Sequence, residues 1–487
     1  MRATRRSLIF PPAREVQLHD LVGSTSDAGH VSLLLKFAAF AVFFFPSNMI
    51  IKPIGAVGTI PIMLALLLLA FWLCSALFGL HNPFRTSHPG RLGLGLLWVG
   101  TCASYVALFS GFTGNTNVSA QAAADRWLIL ILASAGIALV ATEAVRTLND
   151  AMSLVRAILA GAFFCCLVAL VQFLFRVNPM VWIQEAMPGF TDNGGNTAFQ
   201  VRGFMTRVAG STFHSIELAV VCSMLLPLSI WRGIYDRTGH KWLHWAGTGL
   251  LVVAIASTVS RSGVLGLVVG MLVFIPFLPR VARRWALVAA PTAMAALFVA
   301  IPGLVGTLTS SFTAGQSDPS LTTRTNNYPR VAEMFGELPF LGLGPGNYLP
   351  DNALHILDNQ YLNSLVTLGL VGFIGMVAYL VLPFISSVLA ARASRLPALR
   401  SLAGAVAAGG AVAAACSLTF DSMAFPVFAL VYPFIVGLGG GTWTMVRREI
   451  ELRESAVPHQ ETGGGPPRNG LPVKPSTLNE EAITWTR

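Results

Sequence analysis

Five arginines stand where an apolar chain has least use for them. Arg202, Arg207, Arg261, Arg324 and Arg330 lie apart from the loops that hold most of the 32 Lys and Arg. A guanidinium sets two parallel hydrogen bonds on a phosphate, a geometry that a lysine ammonium does not reproduce. Arg261 is the sharpest of the five. It sits in STVSRSG (257–263), a polar interruption of a stretch that is otherwise almost continuously apolar. At membrane depth an arginine costs about 3 kcal/mol on insertion scales, which marks function unless the side chain snorkels to the interface. His214 and Glu217 are three residues apart, on one helix face at the mouth of an apolar run. A carboxylate placed there suits acid–base work; alternatively it pairs with His or Arg to hold a loop down. Asp358 opens DNQYL, where it either caps a helix or takes a proton from a hydroxyl. Asp358, Glu217 and His214 are therefore the candidate catalytic residues, and the arginines the candidate phosphate ligands.

The elements that position these residues follow from composition. The 487-residue chain is 54% hydrophobic and 11% charged. Roughly 20 apolar residues span a bilayer core, and about twelve such stretches lie between Val31 and Val446. Basic residues crowd alternate connections, so the positive-inside rule puts both termini in the cytoplasm. An all-α, polytopic membrane protein is predicted, with about twelve transmembrane helices in the inner or plasma membrane. Its parts are a cytoplasmic N-terminal tail (1–30), a membrane domain (31–446) and a disordered cytoplasmic tail (447–487) rich in Gly and Pro. The first apolar run leads into further spans and lacks a small-residue cleavage pattern, so no cleavable signal is expected. The net charge of +10 faces anionic lipid and sets topology, and no nucleic-acid partner is expected.

Two long outer loops, 176–215 and 307–360, contain the arginines other than Arg261. Both carry aromatic residues and Pro-Gly punctuation, and short amphipathic helices are predicted in them. In the second loop, Pro329 suits a first helical position with Asn327 as its cap. Val331, Met334, Phe335 and Leu338 then share one face, and Arg330, Glu333 and Glu337 another, up to Pro339. The glycine-rich FLGLGPGNY (340–348) either admits a ligand close to its backbone or simply turns into the next helix; it lacks phosphate-loop spacing. The six cysteines lie within apolar runs and give neither a disulfide framework nor a metal spacing.

Four segments, RVAGSTFHSIELA (207–219), SRSG (260–263), PFLGLGPGNY (339–348) and DNQYLNSLVTLGLVG (358–372), together resemble the O-antigen ligase and polymerase superfamily of bacterial envelope polysaccharide assembly. The resemblance covers about 200–372. It implies a glycosyltransferase that moves a glycan from undecaprenyl pyrophosphate to a glycan acceptor, with no cofactor and no metal. Membrane lipid and a chain-length regulator are further partners in this reading. The five arginines would hold the pyrophosphate, and Asp358, Glu217 or His214 would act on the acceptor hydroxyl. The family's ligases carry His before Asn where this chain has Asp358, so the sequence looks closer to exopolysaccharide polymerases and leaves the base open among the three. The rival reading is a transporter or flippase for lipid-linked oligosaccharide or a small anion, which would also use many spans and membrane-embedded arginines.

Overall fold

A computed structural model describes residues 31–83, 86–114, 117–194, 198–202, 205–300, 319–348, 350, 352 and 355–455. The chain is an all-α, multi-pass membrane protein. Its helices are α1 (Leu33–Phe44), α2 (Ile60–Leu77), α3 (Pro89–Phe109), α4 (Val118–Ala144), α5 (Leu148–Phe175), α6 (Met180–Glu185), α7 (Ser215–Tyr235), α8 (Lys241–Ser257), α9 (Arg261–Phe274), α10 (Arg280–Ala300), α11 (Pro319–Glu337), α12 (Gln360–Ala393), α13 (Pro397–Cys416) and α14 (Pro426–Ser455). Among the described residues, eight are long and apolar enough to cross a membrane: α2 to α5, α7 and α12 to α14. The other four expected spans coincide with α1, α8, α9 and α10. Of these, α1, α8 and α9 are 12, 17 and 14 residues long, shorter than a full crossing at 1.5 Å per residue.

Burial sorts the helices into a centre and a rim. α7, α13 and α14 are buried over most of their length, whereas α2 is mostly exposed. α13 is rich in Ala and Gly, which let helix axes approach where lipid supplies no hydrophobic drive for association. The seam between α3 and α12 shows this directly. A Cβ at Gly93 would lie 2.5 Å from the Ala378 carbonyl oxygen, and one at Gly375 would lie 2.7 Å from the Leu96 carbonyl oxygen. At one end of the bundle, Arg156 grips Asp236 with Nε (2.9 Å) and Nη2 (2.6 Å), and Arg232 adds a third contact at 3.2 Å. Burial alone would raise the Asp236 pKa, but these donors and Thr238 hold it well below the usual carboxylate range. The basic connections, including Arg146, Lys241, Arg395, Arg447 and Arg448, gather at this same end.

The glycine-rich turn has a structural use. α12 breaks at Gly369, whose φ of 65° and ψ of −168° belong to a region essentially restricted to glycine. The break frees backbone groups on both sides, and the chain from Pro339 to Gly344 takes them up. Leu343 and Gly344 N–H groups donate to the Val366 and Thr367 carbonyls (both 3.0 Å), and Leu370 N–H donates to the Pro339 carbonyl (2.8 Å). Gly342 and Gly369 meet backbone to backbone: a Cβ on Gly369 would sit 2.3 Å from the Phe340 carbonyl carbon. Gly369→Ala is therefore expected to cost about 3 kcal/mol from strain plus overpacking and to lower both membrane abundance and the thermal midpoint. Gly95→Ala, on an open face of α3 with no atom within 4 Å, is the silent control.

Three expectations are corrected. The outer helix α11 starts at Pro319, ten residues before Pro329, which lies inside it. Asn327 does not cap a helix start; it is 3% exposed and donates to the Ile356 carbonyl (3.3 Å). α14 runs on to Ser455, past the expected end of the membrane domain at 446, because Glu449 accepts hydrogen bonds from Ser394 and Arg395 and pairs with Arg453. The first long loop is built as expected of an ordered segment: α6, the pair β1 (Met49–Ile50) with β2 (Thr191–Asp192), and the hairpin β3 (Phe199–Arg202) with β4 (Met205–Val208).

Candidate active site

At the end of the bundle opposite Asp236, segments distant in sequence converge. The hairpin sets Gln200 across from Arg207. Arg207 is 8% exposed, and its Nε donates to the Thr258 carbonyl (2.8 Å), tying the hairpin to the turn that ends α8. In that turn Val259 has a φ of 48°, an outlier for a buried β-branched residue that stores on the order of 1–3 kcal/mol. The turn places Arg261 at the first position of α9. There its charge adds to the positive end of the helix dipole, and both favour an anion.

Ser262 carries the contact onward. The Thr419 hydroxyl donates to Ser262 Oγ (2.8 Å), and the Cys416 thiol donates to the Ser262 carbonyl (3.4 Å). The 417–425 connection between α13 and α14 is thus held beside Arg261. The same connection clasps the start of α12. Gln360 N–H donates to the Ser417 carbonyl (2.9 Å), Met423 N–H to Gln360 Oε1 (2.7 Å), and Asn363 Nδ2 to Asp421 Oδ2 (2.8 Å). Asn359 caps α12, accepting from the N–H groups of Tyr361 (2.9 Å) and Leu362 (3.2 Å). Asp358, one residue earlier, is therefore not the helix cap. It is half-buried, and its charge reaches Asp421.

His214 is the N-cap of α7, with Glu217 three residues on in its first turn. His214 Nδ1 accepts from Ile216 N–H (3.1 Å), and its Nε2 lies 2.8 Å from the amide nitrogen of Gln200. Burial, then the nearby Arg207, lowers the His214 pKa to about 4. Glu217 is fully buried. Its Oε2 accepts from Phe213 N–H (2.8 Å), and its Oε1 accepts from Val427 (2.6 Å) and Phe428 (2.9 Å) at the start of α14. Both residues accept from backbone N–H groups.

The apolar face of α11 packs Val331 against Leu357 and Val366, which lays the helix over the start of α12. Arg330 comes close to Tyr348: burial raises the phenol pKa, and the arginine charge offsets part of that rise. For Arg324 in α11 and Arg202 at the end of β3, only the backbone is described. The segments carrying Arg207, Arg261 and Asp358 thus meet at one end of the bundle through Thr258, Ser262 and the 417–425 connection, and α11 with Arg330 packs over the start of α12. A cavity of about 720 Å³ lined by His81, Glu143, Arg146, Arg447 and Arg448 lies at the opposite end and is separate from this cluster.

Asp421 was missed in sequence, although its signal was there. It is the only charged residue between Arg400 and Arg447, at a junction of two apolar runs. Burial raises its pKa to about 7, with the Asp358 charge adding to the rise and the Asn363 hydrogen bond opposing it.

Residues 246–377 match the family model for O-antigen ligase, so this part of the chain is similar to that family. The match contains Arg261, Arg324, Arg330 and Asp358; Arg207, His214 and Glu217 precede it and Asp421 follows it. No curated protein matches the chain.

Proposed function

We propose that this protein, similar over residues 246–377 to the O-antigen ligase family, is a membrane glycosyltransferase of the polymerase type, acting on undecaprenyl-pyrophosphate-linked oligosaccharide at the outer face of the inner or plasma membrane. The acceptor hydroxyl oxygen bonds to the anomeric carbon of the donor sugar. The bond from that carbon to the pyrophosphate oxygen breaks, undecaprenyl pyrophosphate leaves, and the hydroxyl proton passes to Asp358. Arg261, Arg207 and Arg330, with Arg324 and Arg202 as further candidates, stabilise charge growing on the pyrophosphate, the kind of term that usually dominates rate enhancement. The observation that supports the assignment of Asp358 is that Asn359 does the capping, so the acid at the mouth of α12 is not the helix cap. Glu217 and His214 position the hairpin and α14 in this reading.

A broken membrane helix is also a mark of transporters. In α12, however, backbone groups freed at the break are taken up by the 339–344 segment, which favours a structural role for the break. The test uses the purified full chain in detergent, without a sealed membrane, supplied with lipid-linked oligosaccharide. A glycosyltransferase lengthens the glycan and releases undecaprenyl pyrophosphate. Unchanged substrate under these conditions, with folded protein verified, would shift the reading to transport.

A further inference from the structure

The end of the bundle away from the cluster carries the cavity of about 720 Å³, which the proposed reaction does not use. Separate segments wall it: the turn after α2 (79–82), the end of α4 with the residues that follow it (142–146), and α14 at 444–451. Its size lies in the range of small-molecule sites, about 300–1,000 Å³. The walls are tied together. A Cβ at Gly440 of α14 would lie 2.6 Å from the Thr142 side chain, so α14 and α4 meet closely there. Arg91 of α3 donates through Nη1 to the carbonyl (3.0 Å) and the hydroxyl (3.2 Å) of Thr86, and sits over the Trp72 ring of α2 at 5.6 Å.

The charges in these walls are unequally engaged. Glu143 is held by its neighbours: His81 Nε2 lies 3.5 Å from one carboxylate oxygen, and the Thr86 hydroxyl donates to the other (3.5 Å). His81 in turn meets Ser75 Oγ through Nδ1 (2.9 Å). The cations are held far less. Arg146 is exposed, and its side chain makes one hydrogen bond among the described residues, from Nε to the Glu143 carbonyl (3.0 Å). Arg447 reaches Glu451 only at 3.8 Å with both groups exposed, and such a pair contributes little. The Arg448 side chain has neither an ion pair nor a hydrogen bond among the described residues. Three guanidiniums therefore line one cavity with most of their donors uncommitted, and a phosphate group is the ligand their geometry fits.

The rim indicates what carries the phosphate. Leu80 lines the cavity, and Leu77, Phe78 and Leu80 are 83%, 80% and 79% exposed. They lie at the end of α2, the least buried of the eight helices long and apolar enough to span, on which Phe71 and Leu73 are exposed too. In a bilayer such side chains lie against acyl chains, and a soluble anion has no use for them. The positive-inside reading sets this end in the cytoplasmic leaflet, where basic pockets between spanning helices take anionic lipid headgroups.

We infer that this cavity binds an anionic phospholipid: Arg146, Arg447 and Arg448 hold the headgroup phosphate, and the acyl chains lie along Leu80, Phe78 and the exposed side of α2. The site does not depend on the glycosyl-transfer reaction. Enclosure sets it apart from the diffuse attraction of anionic lipid to every basic connection, because Arg392, Arg395 and Arg400 do not line the cavity. A lipid bound there touches α2, α4 and α14 at once, so it stabilises the folded chain by mass action.

The experiment titrates the purified full chain in detergent with phosphatidylglycerol or phosphatidylcholine and reads the thermal midpoint and the lipid retained in native mass spectrometry. Phosphatidylglycerol should raise the midpoint and stay bound, and phosphatidylcholine should do neither. Arg146→Gln, Arg447→Gln and Arg448→Gln combined should weaken phosphatidylglycerol binding about 10²-fold, since each cation near the headgroup contributes about fivefold. Arg392→Gln, Arg395→Gln and Arg400→Gln combined remove the same charge outside the cavity and should leave the affinity near wild type. Equal losses in the two triple variants would overturn the site in favour of general surface charge. Equal protection by the two lipids would overturn the anion specificity. Protection by glycerol 3-phosphate as strong as that by phosphatidylglycerol would overturn the lipid in favour of a soluble phosphate. Should the cavity triple fail to fold, Arg448→Gln decides alone: a loss of about fivefold supports the site, and an unchanged affinity overturns it.

Discussion

Arg261→Lys combined with Arg330→Lys is expected to lower turnover on the order of 10²-fold or more, while Arg280→Lys at the opposite end of the bundle leaves it unchanged. The reasoning is geometric. A pyrophosphate leaving group gains charge on several oxygens as the anomeric bond breaks. A guanidinium presents a planar fork to two of them, and an ammonium offers a point charge that must choose one. Arg261 also stands at a helix start, where unsatisfied N–H groups already favour an anion, so the loss falls on a preorganised site. Lysine keeps the net charge, and with it topology and lipid attraction, so membrane abundance should hold. Initial rates of undecaprenyl pyrophosphate release, normalised to folded protein, provide the measurement. Wild-type turnover in the double variant would remove the pyrophosphate assignment.

How far the sequence foretold this arrangement differs by element. The membrane architecture was legible because lipid enforces it locally: each span must be apolar and must satisfy its own backbone. The gathering of most basic connections at one end of the bundle was legible for a similar reason, since Lys and Arg crowd alternate connections in the sequence. The helix carrying Arg330 was only half legible. Its apolar stripe from Val331 onward was visible, but its start was placed at Pro329, because proline and a nearby Asn mimic a helix start. The glycine-rich turn was read as a ligand loop or a plain turn. Its actual use, completing a broken helix at Gly369, depends on pairing with residues some twenty-five positions further along the chain, and no local pattern encodes that.

The acids show the same division. The spacing of His214 and Glu217 left two readings open, acid–base work or a pair that holds the loop down, because nothing local shows which backbone groups the two side chains meet. The partners of Glu217 on α14 lie more than two hundred residues away, and no local spacing reveals them. Asp421 is one acid between two apolar runs, and no local spacing pairs it with another polar residue. Its hydrogen bond from Asn363 exists only through tertiary packing.

Asp358→Asn and Glu217→Gln should fail in opposite ways, and the contrast separates the chemistry from the scaffold. Asp358→Asn leaves the cap of α12 intact, because that is the work of Asn359, so abundance and thermal midpoint should stay near wild type. Turnover should fall about 10²- to 10⁴-fold, the usual range for losing a general base. Glu217→Gln keeps the shape but turns one oxygen that accepts backbone N–H groups into an amide donor facing them. Leaving such buried donors unmatched costs about 1.5–3 kcal/mol, so the variant should accumulate poorly in the membrane. The fraction that folds should retain most of its turnover per molecule. Polymer length in cells, read with membrane abundance, and release rates of the purified variants distinguish the two patterns. If Asp358→Asn retained turnover and a well-folded Glu217→Gln lost it, the roles would exchange: Glu217, oriented by His214, would become the base, and Asp358 would be left as a neighbour of the helix cap.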